Sequence, residues 1–237
     1  MEEEINRVIS QWLAIDFFTI ANKLNFINKK KIADKKLIFD TIRCLDYITV
    51  KHDEKMVNIV IALVALMWTY SDKKAYELKN IIIKFLSRIG YPTSAIIVDK
   101  QYDKRECQFT SLNSWLDELV IGFSQLLNEV EVNGQVFMLT DFQKKIWKAM
   151  DKEQVIGISA PTSAGKSFVI LLKLLQKISE HNRDVVYIVP TLSLVNQVTE
   201  DFNSMLKKLG IGNYKITNTF MQIEDFDVNN IYILTQE

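Results

Sequence analysis

Proline, glycine, cysteine and histidine are all scarce in this chain. Its 237 residues include 3 prolines and 7 glycines, while 48% are hydrophobic, a composition that excludes long Gly/Pro-rich linkers and leaves ample material for a core. Two cysteines, Cys44 and Cys107, are too few to form a disulfide framework or a zinc site. Because the first residues, MEEEINR, also lack the pattern of a signal peptide, we expect a cytoplasmic protein.

An excess of charge of either sign is also lacking. Lys+Arg and Asp+Glu both number 29, so no global basic field favours nucleic acid, although a local basic groove is compatible with this balance. The most apolar run, residues 56–71, carries Asn58 and is shorter than the roughly 20 residues that a membrane span needs. We expect no membrane segment and a buried core helix at 55–70. His52 is interpreted as a surface residue, and Lys29–Lys31 as a solvated helix end, with nucleic-acid contact as the alternative.

Apolar residues at helical spacing dominate the first 130 residues. The pattern predicts five helices. The first is at 2–27, the second begins after a cap at Asp34, and the others are at 55–70, 73–90 and 111–130. In the first of these, the residues expected inward are Ile5, Ile9, Trp12, Leu13, Ile20, Leu24 and Ile27. In the last, they are Leu112, Trp115, Leu116, Leu119, Phe123, Leu126 and Leu127. Since no catalytic constellation lies here, residues 1–130 are predicted to form an all-helical domain that binds a partner protein or guides a nucleic-acid strand.

The pattern changes after residue 130. Asn133-Gly134 between two β-branched runs predicts a hairpin at the domain junction, and Thr140 is the predicted cap of a helix that ends near Met150. Beyond it, strands are predicted at 155–160, 185–189, 214–220 and 231–235, and helices at 166–180 and 192–209. Alternation of this kind is typical of a parallel α/β sheet, which makes 131–237 a second domain.

The principal candidate site is the loop between residues 155–160 and the helix that starts at 166. The segment APTSAGKS, 160–167, keeps the G-x-x-x-x-G-K-[ST] spacing of a P-loop, with Ala160 in place of the first glycine. Backbone N–H groups and the helix dipole would hold phosphate, Lys166 would reach the β and γ phosphates, and the Ser167 hydroxyl would bind Mg²⁺. The predicted cofactors are ATP and Mg²⁺, and the predicted nucleotide-binding residues of the loop are Pro161, Thr162, Ser163, Ala164, Gly165, Lys166 and Ser167.

Two further segments flank this loop. Gln143, on the helix opened by Thr140, carries an amide that could read the edge of adenine through paired hydrogen bonds. Pro190 and Thr191 follow the strand at 185–189, at the carboxyl edge of the predicted sheet, where open α/β folds bind ligands. A hydroxyl and the N–H groups of a helix start suit a nucleic-acid phosphate.

In their order and spacing, these segments resemble the first motifs of superfamily 2 helicases. LTDFQ (139–143) resembles the glutamine motif, APTSAGKS motif I, PTLSLVNQ (190–197) motif Ia, and IYILTQE (231–237) the strand and T-P-E segment of the next motif. The resemblance covers about 139–237 and implies an incomplete RecA-like domain that binds ATP, Mg²⁺ and DNA or RNA. The segment PTSAGKS is similar to the corresponding segment of large processing helicases and of bacterial antiviral-defence helicases, including the Hachiman type.

The sequence departs from this pattern in ways that limit the expected chemistry. Leu192-Ser193 stand where motif Ia often carries arginine, and Gln236 stands where proline is frequent. The acidic D-E-x-H/D motif is not reached before residue 237, and Asp225 and Asp227 are interpreted as surface-loop residues. We expect the N-terminal part of an ATP-driven helicase that is catalytically silent by itself. The alternatives are an interaction module whose helical domain binds a partner, and a different P-loop enzyme such as a small-molecule kinase.

Overall fold

The computed structural model describes residues 2–28, 31–51, 54–72, 78–92, 98, 115–161, 164–181, 184–218 and 229–236. The chain divides into two compact units, Met1–Leu127 and Asn128–Glu237. The described residues are mostly helical, with a small parallel sheet in the second unit. Residues discussed above that lie outside the described part are Lys29, Lys30, His52, Cys107, Leu112, Thr162, Ser163, Asp225 and Asp227.

The helices of the first unit follow from their caps and apolar spacing. Those described are α1 (Glu2–Lys23), α2 (Lys35–Lys51), α3 (Val57–Tyr70), α4 (Leu78–Arg88) and α5 (Trp115–Asn128). The Asp34 carboxylate accepts a hydrogen bond of 2.7 Å from the backbone N–H of Leu37, so the predicted cap of α2 is confirmed. Beyond α4, Gly90 adopts a φ of 85°, a left-handed conformation that glycine adopts readily at the end of a helix.

Helices α1 to α4 bury a common apolar core. Trp12 is fully buried, and its indole N–H donates a 2.8 Å hydrogen bond to the hydroxyl of Thr41 on α2, so this polar pair is satisfied within the core. At the surface, Arg7 pairs with Asp40 at 2.7 Å. Within the described part of the chain, we find no helix with the length and apolarity that crossing a membrane requires.

The predicted inward face of α5 is wrong. Its large apolar residues are exposed, at 69% for Trp115 and 60% for Phe123, while Ile121 is buried against Ile83 of α4. Gln125 is buried on that same helix, and neither atom of its side-chain amide has a hydrogen-bond partner among the described residues. The helix is therefore turned so that its more polar side packs inward. The other predicted core residues of α5 that the structure exposes are Leu116, Leu119, Leu126 and Leu127.

Helix α1 shows the same difficulty in a milder form. Ile5 and Trp12 are buried as predicted, whereas Leu13, Ile20 and Leu24 are about half exposed. Apolar residues occur on both sides of this helix, so periodicity alone does not select the face that packs on α2 and α3.

The second unit begins with the predicted hairpin, formed by β1 (Glu129–Val132) and β2 (Gln135–Met138). The turn residues Asn133 and Gly134 have φ values of 47° and 75°, the positive values that a two-residue type I′ turn requires. The hairpin prediction is confirmed. The later elements are α6 (Asp141–Lys152), α7 (Lys166–His181), β3 (Val185–Val189), α8 (Leu192–Leu209), β4 (Tyr214–Thr217) and β5 (Asn229–Thr235).

The described strands β3, β4 and β5 form a parallel sheet in the order β3-β5-β4. Val189 lies opposite Thr235, so β3 and β5 end at the same edge. Phe202 of α8 and the apolar residues of α7 belong to the core that also buries Ile231 and Ile233 of the sheet. The parallel α/β arrangement predicted for this region is present in these strands and helices.

The predicted strand at 155–160 is not formed. Residues 153–161 are irregular, Val155 is 89% exposed, and only Ile158 packs partly against the core. A strand exists by pairing its backbone groups with a neighbour, and the strand pairings of the described residues do not include this segment. Elsewhere the differences are small: α8 has its predicted bounds, and β5 starts two residues earlier. Strand β4 ends at Thr217, and residues 219–220 of its predicted range lie outside the described part.

Candidate functional site

The described residues of the P-loop, 160–161 and 164–165, lead directly into α7. The backbone N–H of Ala164 donates to the Pro161 carbonyl at 3.1 Å, and that of Val169 donates to the Gly165 carbonyl at 3.2 Å. Gly165 adopts a φ of 71°, which reverses the chain immediately before the helix starts at Lys166. The first N–H groups of a helix lack intrahelical partners and lie at the positive end of its dipole. This geometry suits an anion.

Lys166 folds back over the loop. Its ammonium group donates to the backbone carbonyls of Ala160 and Pro161, the latter at 2.8 Å. An ammonium has three N–H donors, so one donor is left for an additional acceptor. Ser167 is exposed in the first turn of α7, where its hydroxyl can reach a ligand of the loop.

Gln143 connects the preceding helix to this loop. Thr140 and Gln143 form a capping box at the start of α6, in which the Thr140 hydroxyl accepts from the Gln143 N–H at 3.3 Å and the Gln143 amide oxygen accepts from the Thr140 N–H at 3.1 Å. The Gln143 amide nitrogen also donates to the Ala164 carbonyl at 3.3 Å. The structure therefore brings Gln143 and the P-loop together.

Gly165 makes this contact close. A Cβ atom added to Gly165 would lie 2.4 Å from the Gln143 amide nitrogen, well inside contact distance. Glycine suits this position because of its positive φ, and a Cβ here would also displace the end of the Gln143 side chain.

The sequence did not predict that Lys173 of α7 forms a buried cluster with α6. This lysine is 1% exposed, its ammonium donates to Asp151 at 2.7 Å and to Gln176 at 2.8 Å, and it lies 4.2 Å from the centroid of the Trp147 ring. Burial acts to raise the pKa of Asp151, but the hydrogen bonds from Lys173 and Lys177 outweigh it and lower that pKa. The available signal was a lone lysine within the apolar run of 168–175.

Pro190 and Thr191 lie where β3 passes into α8. Thr191 is the N-cap of α8 with φ −140° and ψ 152°, and its side chain makes no capping hydrogen bond. Its hydroxyl lies 3.2 Å from that of Ser193, and both residues are exposed. The hydroxyls and the start of α8 therefore face solvent at the carboxyl edge of the sheet. Among the described residues, the hydrogen bonds of Thr191 do not reach the P-loop.

Metal binding depends on few groups. Within the described residues, no cluster of three or more His, Cys, Asp or Glu side chains could hold a metal ion. Mg²⁺ commonly keeps several waters and is held by one or two protein oxygens together with substrate phosphates. A single hydroxyl at Ser167, exposed in the first turn of α7, fits such an ion in that role.

The comparisons with known proteins concern the second unit. Residues 140–237 match the model of the family described as DEAD/DEAH box helicase. The chain is 30% identical over 112 residues to the activating signal cointegrator 1 complex subunit 3 of Dictyostelium discoideum. The aligned segment covers 43% of this chain and 5% of that protein. It is also 30% identical over 111 residues to the ATP-dependent DNA helicase MER3 of Saccharomyces cerevisiae (strain ATCC 204508 / S288c), covering 43% of this chain and 9% of the relative.

A third relative is the DExH-box ATP-dependent RNA helicase DExH9 of Arabidopsis thaliana, 33% identical over 75 residues that make up 32% of this chain and 8% of that protein. The chain thus spans less than a tenth of the length of each of these relatives. No solved structure matches it. The resemblance of residues 139–237 to superfamily 2 helicases is confirmed at the level of the DEAD/DEAH box family.

Proposed function

We propose that this chain carries the nucleotide-binding part of an ATP-dependent nucleic-acid helicase or translocase, because residues 140–237 match the DEAD/DEAH box family. The observation that carries the proposal is the contact of the Gln143 amide with Ala164, 3.3 Å away in the P-loop. A glutamine is not required for phosphate binding, so its position beside the loop favours recognition of a base as well as of phosphates.

The Gln143 amide has the capacity for that recognition. A primary amide has two N–H donors and two lone pairs on its oxygen. Thr140 occupies one lone pair and Ala164 one N–H. One donor and one acceptor are left, and in kind they match the N7 acceptor and the amino donor of adenine.

The phosphates of ATP would lie at the start of α7. The N–H groups of the first helical turn would contact phosphate oxygens, and Lys166 would donate its remaining N–H to a phosphate. Ser167 would bind Mg²⁺, which when present neutralises charge on the phosphates. Nucleic acid would contact Pro190 and Thr191 through its backbone phosphates, an interaction that does not read base sequence.

Hydrolysis needs more than these groups provide. Phosphoryl transfer also requires a residue that orients the attacking water and a cation that stabilises the transition state. Within the described residues, no acidic side chain contacts Ser167 or Lys166. We therefore propose that this chain binds ATP without turning it over.

Replacing Lys166 by alanine tests nucleotide binding. A charge-assisted hydrogen bond contributes about 1.5–3 kcal/mol, so we expect the affinity for ADP, measured by titration calorimetry, to fall by about tenfold or more. Lys177→Ala is the matched control, because Lys177 lies on the same helix, is 39% exposed and pairs with Asp151.

The control variant should bind ADP like the wild type. Unchanged affinity in Lys166→Ala, or no binding by the wild type, would contradict the proposed nucleotide site. ATP turnover that depends on Lys166 would overturn the proposal that the chain is silent.

A second candidate function is an interaction module, in which residues 1–130 bind a partner protein in a defence complex. It is favoured by α5, whose apolar side is exposed while Gln125 is buried. Contiguous exposed apolar surface of this kind is typical of sites that another protein covers. The proposed defence role rests on the resemblance of the segment PTSAGKS to bacterial antiviral-defence helicases.

Charged substitutions on α5 test this candidate. Leu119 and Phe123 are 58% and 60% exposed, so Leu119→Glu/Phe123→Glu should leave the fold intact and abolish enrichment of a specific partner from native extract, measured by quantitative mass spectrometry. Val155→Glu, at a position 89% exposed in the second unit, is the control and should retain the partner. Equal enrichment by both variants would exclude α5 as the binding surface.

A further inference from the structure

Lys173 is a charged side chain that the proposed nucleotide chemistry does not use. It is fully buried in α7, and its ammonium contacts α6 twice, through the Asp151 carboxylate at 2.7 Å and the face of the Trp147 ring at 4.2 Å. Asp151 is itself 42% exposed and also pairs with Lys177 at 3.0 Å. The buried member of the cluster is therefore the lysine, and its charge is balanced by α6.

The residues of α6 that face α7 form one stripe. Gln143, Trp147 and Asp151 are spaced by four residues each, which places them on one face of the helix over about 12 Å. Gln143 contacts the P-loop at Ala164, and Asp151 contacts Lys173. The nucleotide-facing end and the lysine-facing end of α6 are thus two contacts of one rigid helix with the segment that contains the P-loop and α7.

In the Lys173–Asp151 pair only the lysine is buried. Ion pairs with a buried charge contribute little net stability compared with apolar residues of the same volume, and their best-supported role is to fix one arrangement among several. Apolar contacts of Ile146 and Trp147 would bury the same helix at several rotations. A hydrogen bond of defined length and direction, such as that from Lys173 to Asp151, permits far fewer rotations. Rotation of α6 about its axis would move the Gln143 amide away from Ala164.

We propose that Lys173 is a positioning residue for base recognition: by holding Asp151 and Trp147, it fixes the rotation of α6 and so orients the Gln143 amide toward the adenine of a nucleotide bound at the P-loop. This inference rests on the proposed nucleotide-binding function. According to this proposal, the preference of the site for adenine over guanine depends on Lys173, which lies about two helical turns beyond Lys166 of the P-loop. Guanine places an acceptor where adenine has its amino donor, so discrimination depends on where the Gln143 oxygen points.

The test compares ADP and GDP binding in Lys173→Met. Methionine replaces the four-atom apolar stem of lysine by an apolar chain of the same length and removes the ammonium group with its charge. We expect the affinity for ADP to fall by about tenfold toward that for GDP, because a misplaced hydrogen-bonding partner loses its contribution to discrimination. The affinity for GDP should stay within about twofold of the wild-type value, since the P-loop holds the phosphates of both nucleotides.

Two variants complete the experiment. Lys177→Met removes the other lysine that pairs with Asp151 and should retain the preference for ADP. Asp151→Ala, at a partly exposed position, should lose the preference for ADP over GDP in the same way as Lys173→Met. If Lys173→Met does not fold, the ADP and GDP affinities of Asp151→Ala test the proposal in its place. A loss of stability alone would weaken ADP and GDP binding equally and would not change their ratio.

The outcomes separate the two proposals. Equal binding of ADP and GDP by the wild type would contradict base recognition by Gln143, and this inference with it. A wild-type preference for ADP that both Lys173→Met and Asp151→Ala retain would overturn the role of Lys173 and leave the proposed nucleotide site intact.

Discussion

Substitution of Gly165 by alanine is expected to weaken nucleotide binding by at least about a hundredfold, which corresponds to a loss of roughly 3 kcal/mol. At a φ of 71°, any residue with a Cβ is strained by about 1–2 kcal/mol. In addition, the new Cβ would lie 2.4 Å from the Gln143 amide nitrogen. Relief of this overlap displaces the Gln143 amide and so loses the base contact, while the strained φ at residue 165 distorts the P-loop that holds the phosphates. Titration calorimetry with ADP measures the effect.

Gly157→Ala is the matched control for that experiment. Gly157 lies in the same approach to the loop, and a Cβ added there meets nothing within 4 Å, so nucleotide affinity should not change. A second comparison isolates the contact: in a Gln143→Ala background, Gly165→Ala should cost less unfolding free energy, because the overlapping atom is absent. Strictly additive effects of the two substitutions would show that Gly165 and Gln143 do not interact.

Features with local causes could be predicted from the sequence. The Asn133-Gly134 turn follows from the positive φ of two residues, and the caps at Asp34 and Thr140 follow from side chains that accept hydrogen bonds from nearby backbone groups. Each of these interactions closes within three residues along the chain. Gln143 was predicted as a base-reading residue from its amide and its position upstream of the P-loop, and the family resemblance supported that prediction, whereas its hydrogen bond to Ala164 joins residues 21 positions apart and is a property of the fold.

Features that depend on a neighbouring element were predicted less well. The run 155–160 has the composition of a strand, but β-branched residues favour a strand only where a partner pairs with it, and the described strands do not supply one. The prediction of the inward face of α5 was wrong for a related reason. Hydrophobic periodicity locates an apolar stripe on a helix and does not show whether this chain or another surface covers it.

The buried Lys173 illustrates a third limit. A lysine within an apolar helical run is normally assigned to the solvated side, because buried charges are rare without a partner. Its partner Asp151 lies 22 residues away on another helix, and only the packing of α6 on α7 brings the two together. The charge pattern is visible in the sequence, whereas the pairing is a property of the fold.

The second large effect is expected for the core of the second unit, where Phe202→Ala should lower the free energy of unfolding by about 3–5 kcal/mol. Phe202 is fully buried on α8 and makes an edge-to-face contact with Tyr187 of β3, with ring centroids 5.8 Å apart and an interplanar angle of 76°. Truncation removes this contact and leaves a cavity between α8 and the sheet. Because domains of this size have only about 5–15 kcal/mol of stability, this substitution would remove a large part of the stability of the second unit.

Urea unfolding resolved by hydrogen–deuterium exchange of individual peptides measures this loss in each unit separately. With a denaturant dependence of about 1–3 kcal/mol per molar urea, the midpoint of the second unit should fall by roughly 1–5 M. Peptides of the first unit should keep their midpoint, because Phe202 belongs to the core formed by residues of the second unit. Leu192→Ala is the control, because Leu192 lies on the same helix but is 76% exposed. It should change the free energy of unfolding of either unit by no more than about 0.5 kcal/mol. A parallel fall in both units would show that they unfold as one cooperative structure, whereas an unchanged second unit would contradict the central place of Phe202 in its core.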